Sequence, residues 1–167
     1  MAKGIGNKGI SLVEMVVILA ILSVVTVASL IGLKLITEKP VDACGECIAN
    51  SIEELRTITM GKVHCEGEIS VDSDGVVWFK ETVDGTVKPA KKVGASGLTL
   101  TATFQNGATY VIDSSNPLKI EFKRETGGLK EDPDAGRDYL KEISISKGSK
   151  EVKVTIGRIA GKVALTR

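Results

Sequence analysis

The residues able to do chemistry fall into a few short groups. Glu14 is a carboxylate inside an apolar run, five positions after Gly9 in the order Lys8-Gly9-Ile10-Ser11-Leu12-Val13-Glu14. A charge in hydrocarbon costs several kcal/mol unless something compensates it, so an acid there marks a site. Cys44 and Cys47 form a CxxC, and His64-Cys65 follows some twenty residues later. Zinc asks for four converging ligands, commonly two separated pairs. Adjacent His64 and Cys65 are awkward for that, and no metal is expected. In an oxidising compartment a disulfide from Cys65 to one of the other two cysteines is expected, with an odd thiol left over. A short Cys44–Cys47 bridge and buried free thiols stay open as alternatives.

Ser70, Asp72, Asp74, Gly75 and Glu81 follow the spacing of an EF-hand loop, with serine in place of the first acid. Their flanks read as strands, so a hairpin turn is the expectation. Glu131, Asp132, Asp134 and Asp138 crowd one loop that could hold calcium but reads as solvated. From Lys147 to Arg167 six basic residues stand against Glu151. Lys150, Lys153, Arg158 and Lys162 are the candidate phosphate contacts in that stretch, although alternating lysines are the usual dress of a solvated strand face. His64 is the only histidine, and the serines lack an obvious base partner. No catalytic residue, cofactor or enzyme activity is expected.

These residues need elements to position them. Met15 to Leu33 is a run of about 19 uncharged residues, near the ~20 that span a bilayer. Lys3 and Lys8 precede it, which orients the start to the cytoplasm, while Lys34 and Lys39 beyond it weaken that asymmetry. Pro40 suggests a kink or a helix restart. Val41, Cys44, Ile48, Ile52, Leu55 and Ile58 then recur at steps of three and four, one apolar stripe on a helix that Gly61 stops. Alternating strands follow at 68–71, 76–80, 98–104, 108–113, 118–123, 142–146, 150–156 and 162–165. Asp72-Ser73-Asp74-Gly75, Asn106-Gly107 and Lys147-Gly148-Ser149 supply the turns between pairs of them. Helix first and strands afterwards reads as α+β. The chain carries 22 basic and 21 acidic residues, so no global charge advertises a nucleic-acid or acidic partner. Removing the first 36 residues leaves roughly 130, enough for one core.

The stretch Lys8 to about Leu33 resembles the cleavage and methylation signature of type IV prepilins and type II secretion pseudopilins. The resemblance implies a leader over 1–9, cut by a prepilin peptidase between Gly9 and Ile10, with N-methylation of Ile10. It also implies that Glu14 of one subunit neutralises the new amine of a neighbour's Ile10 during assembly. Many pilins have a proline where Ile31 stands, and here only Gly32 nearby could loosen the helix. The implied fold is a pilin-like lollipop. A membrane-spanning helix over 10–36 continues into an extracytoplasmic helix over 37–61, packed on an antiparallel β head over 62–167. The implied product is a single-pass cytoplasmic-membrane protein that becomes a structural subunit of a pilus-like or secretion filament. Its partners would be prepilin peptidase, other pilin or pseudopilin subunits and the cytoplasmic membrane. A DNA-binding minor pilin of a competence pilus is the alternative. The tail is weakly similar to H-type minor pseudopilins and FimT-like minor pilins. It shares an apolar strand (Leu118, Ile120, Phe122), a glycine loop (Gly127, Gly128) and a closing pair (Arg158, Gly161, Lys162, Val163).

Overall fold

The computed structural model describes residues 12–61, 63–131 and 138–166. Helix α1 runs from Leu12 to Met60 and includes Pro40. The chain divides into two compact units, residues 1–36 and 37–167. Helix α1 continues through Pro40, so the restart that the sequence offered as one option there does not occur.

In the first unit, α1 is apolar on every side that is described, with Leu12 80 % exposed and Val24 69 %. No helix among the described residues is long and apolar enough to cross a membrane. That finding corrects the membrane-spanning helix over 10–36 and the single-pass cytoplasmic-membrane localisation read from it. The α+β pilin-like lollipop built on that span is corrected with them.

The second unit is instead organised by two antiparallel sheets. The first contains β1 (Cys65–Val71), β2 (Val77–Val83), β3 (Thr86–Val87), β4 (Lys91–Gly94) and β7 (Leu118–Glu121). Its order is β3-β2-β1-β7, with β4 also paired to β2. The second contains β5 (Thr99–Phe104), β6 (Thr109–Val111), β8 (Leu140–Lys147), β9 (Lys150–Ile156) and β10 (Val163–Thr166), in the order β10-β9-β8-β5-β6.

The part of α1 within this unit serves both sheets. Val41, Cys44, Ile48, Ile52 and Leu55 are buried as the three-and-four spacing requires. Close approach is possible because glycine stands at each contact. A Cβ at Gly67 of β1 would lie 2.8 Å from Leu55 Cδ2. A Cβ at Gly45 of α1 would lie 2.9 Å from Val152 Cγ1 of β9. On the strands, Ile69, Phe79, Leu100, Phe104, Ile145 and Val154 complete the core on the alternating inward positions. The helix ends where Gly61 N donates to Thr57 O at 3.1 Å.

Candidate assembly surface and the other sequence-predicted sites

Along α1 from Leu12 to Val25 every large apolar side chain is about half or more exposed, Leu19 at 62 % among them. The polar side chains of this stretch do little to suit it to water. Ser23 Oγ donates to Ala20 O at 2.7 Å, and Thr26 Oγ1 donates to Leu22 O at 2.6 Å. Covering one valine, leucine or isoleucine completely is worth about 1.5–3 kcal/mol, so covering this surface is worth well over 10 kcal/mol. A helix apolar all round belongs in a packed environment. Glu14 lies in the first turn, where the exposed backbone N–H groups favour a negative charge. Gly9 and Ile10, the expected cleavage pair, lie outside the described residues.

The three cysteines are free thiols in this structure, the alternative that the sequence leaves open beside a disulfide. Cys44 is on the buried stripe of α1, where a Cβ on Gly94 of β4 would come within 2.7 Å of its sulfur. Cys47, three residues on, is exposed, and Cys65 is buried at the start of β1. Burial, reinforced by the neighbouring Cys47, pushes the Cys44 thiol up to about 12. Burial also pushes Cys65 up.

The candidate nucleic-acid residues do not form a free cationic strip. Lys150 Nζ pairs with Asp42 Oδ1 at 3.5 Å. Lys153 Nζ lies 3.2 Å from Glu142 Oε1 and 3.8 Å from Glu151 Oε1. Hydrogen bonding to Glu142 is the main reason its ammonium is held above the usual lysine range. Arg158 stacks with its guanidinium carbon 4.1 Å from the Tyr139 ring centroid, while Lys162 is exposed.

The EF-hand-like spacing is a hairpin. Asp72 Oδ1 accepts from Asp74 N and from Val76 N, each at 2.9 Å, and Oδ2 accepts from Trp78 Nε1 at 2.9 Å. The indole bond, more than the two backbone bonds, holds the Asp72 carboxyl below its ordinary value. Glu81 is taken by Lys88 at 2.8 Å. In the second acidic group Asp138 Oδ1 accepts from Tyr139 N at 2.8 Å, whereas Asp132 and Asp134 lie outside the described residues.

The three tail pieces do meet. Phe122 bridges to Leu129, Leu129 N donates to Arg158 O at 3.1 Å, and Gly161 lies against Gly127. A Cβ at Gly161 would overlap the Gly127 carbonyl, and its φ of 58° also favours glycine. One cluster escaped the sequence reading, because only strand pairing assembles it: His64 beside Glu66 and Glu121. Comparison with protein-family models, with curated proteins and with solved structures finds no match.

Proposed function

We propose that the chain is a structural, non-catalytic subunit of a type IV pilus-like or type II secretion filament. A prepilin peptidase processes it after Gly9, and it assembles through its N-terminal helix. The observation that carries this reading is the coincidence of Lys8-Gly9-Ile10-Ser11-Leu12-Val13-Glu14 with a helix whose apolar surface lies open from Leu12 to Val25. Sister helices of neighbouring subunits cover such a surface and remove its apolar area from water. Glu14 then meets the amine of a neighbour's Ile10. Pairing offsets the desolvation of both charges and sets the register between subunits.

A DNA-binding role draws less support, because carboxylates engage Lys150 and Lys153. Glu14→Val tests the assembly mechanism. The variant is cleaved at Gly9 like the parent, while its share of shear-released filaments falls at least several-fold. Incorporation equal to the parent would remove the electrostatic pairing from the account.

A further inference from the structure

Glu66 of β1 and Glu121 of β7 are direct partners across an antiparallel pair. Their side chains emerge on the same face, and like charges placed opposite one another are unfavourable there. His64, just before β1, turns its ring into that pair. Its Nε2 lies 3.0 Å from Glu121 Oε1 and 4.0 Å from Glu66 Oε1, and one ligand atom from each residue falls within a 4.8 Å cluster. The backbone behind the imidazole is clamped on both sides. Asp84 N donates to His64 O at 2.9 Å, and His64 N donates to Asp84 Oδ1 at 3.2 Å.

We propose that His64, Glu66 and Glu121 bind a divalent transition metal of the zinc type. One imidazole with two carboxylates is a mixed nitrogen and oxygen set, which suits zinc and its neighbours rather than magnesium or calcium. Zinc–nitrogen and zinc–oxygen bonds of ~2.0–2.2 Å place tetrahedral ligands roughly 3.3–3.6 Å apart. The two histidine–carboxylate separations of 3.0 and 4.0 Å bracket that figure and all three ligand atoms lie within 4.8 Å of one another, so small side-chain rotations close the site. Three protein ligands leave a fourth position for water. His64 and Glu66 are about half exposed, which gives the ion a path in from solvent.

Lys130 is the built-in competitor. Its ammonium rests on Glu121 Oε1, the same oxygen that the imidazole approaches. In the metal-free protein this lysine balances part of the carboxylate charge. An arriving dication takes its place, and the flexible lysine side chain swings into solvent. Removing the lysine leaves Glu121 to the arriving ion and tightens its binding.

The chain has one histidine, so the ring of His64 reports binding without ambiguity. The experiment is a titration of the full-length, detergent-solubilised chain, isotopically labelled in histidine, with zinc chloride and in parallel with magnesium chloride. Zinc moves the single set of imidazole resonances saturably at one equivalent, and magnesium does not. Glu66→Gln and Glu121→Gln each weaken zinc binding about tenfold or more, at least the cost of losing an outer-shell partner of a ligand, while Lys130→Gln tightens it several-fold. Trp78 fluorescence, from the only tryptophan, checks that each variant is folded. Should a glutamine variant fail to fold, the Lys130→Gln arm decides. No saturable shift with zinc at about 1 mM would overturn the proposal, far above the range of a three-ligand zinc site. Affinity unchanged in Glu66→Gln and Glu121→Gln, or not raised in Lys130→Gln, would overturn it as well.

Discussion

Replacing Gly94 by alanine tests how closely the core segment of α1 sits on the first sheet. Gly94 ends β4, opposite Val77 of β2. The added methyl would lie 2.7 Å from Cys44 Sγ, 2.8 Å from Val77 Cγ2 and 2.9 Å from Val77 Cβ. Alanine in place of a strand glycine recovers about 0.5–1 kcal/mol of backbone entropy. Forcing a carbon into a filled core costs about 1–3 kcal/mol. The clash wins here, because a branched Val77 Cβ cannot swing away without moving its own backbone. The net expectation is a loss of about 1–2 kcal/mol, or a fall in Tm of roughly 3–10 °C for a unit of this size. Urea unfolding followed by Trp78 fluorescence measures it. Combining Gly94→Ala with Cys44→Ala removes one of the clashing atoms. The two changes then partly cancel, with a coupling of about 0.5–1.5 kcal/mol. A Gly94→Ala chain as stable as the parent, or two changes that simply add, would show that α1 does not press on β4 as described.

Thiol labelling separates the cysteines: Cys47 reacts quickly in the native chain, while Cys44 and Cys65 react only on unfolding, as peptide mass analysis after a short maleimide pulse shows. The raised Cys44 thiol gives its pH dependence a definite sign. Its contribution to stability is fully present below the ordinary value of 9.0 and is lost as pH rises toward about 12, because the unfolded chain ionises there before the folded one does; urea midpoints that do not fall between pH 9 and 11 would refute this. Duplex DNA binds the β-rich unit only weakly, and replacing Lys150, Lys153, Arg158 and Lys162 together by glutamine changes that little; a tight complex that weakens steeply with salt and disappears in the fourfold variant would reinstate the DNA reading.

The core of the second unit could be read from periodicity, because a helix packed on sheets must show its apolar residues at three-and-four spacing. Val41, Cys44, Ile48, Ile52 and Leu55 do so, and all are buried. Hairpins announced by strong turn chemistry were equally legible. Asp72 to Gly75 joins β1 to β2, and Asn106-Gly107 joins β5 to β6. The short strands β3 and β4 were not. Thr86 and Val87 are both exposed, and Lys91 and Lys92 precede the buried Val93 without alternation. For the cysteines, the apolar stripe puts Cys44 toward the core and leaves Cys47 off it, as found, but spacing along a helix says nothing of Cys65, which is buried at the start of β1. The cluster at His64 was invisible because its members stand up to 57 residues apart and meet only through the pairing of β1 with β7. Hydropathy over 15–33 suggested a span that the described residues of α1 do not provide. What that stretch retains is an open apolar surface that asks to be covered.

The most direct test of the filament-subunit account is the N-terminus of the chain after it has been produced together with a prepilin peptidase. Intact-mass and N-terminal peptide analysis reads it without assumption about assembly. The account predicts a chain beginning at Ile10, with the added mass of one methyl group on its amine, and a block of this processing in Gly9→Val. A chain that keeps Met1 in the presence of active peptidase, or one that begins beyond Leu33, would contradict it.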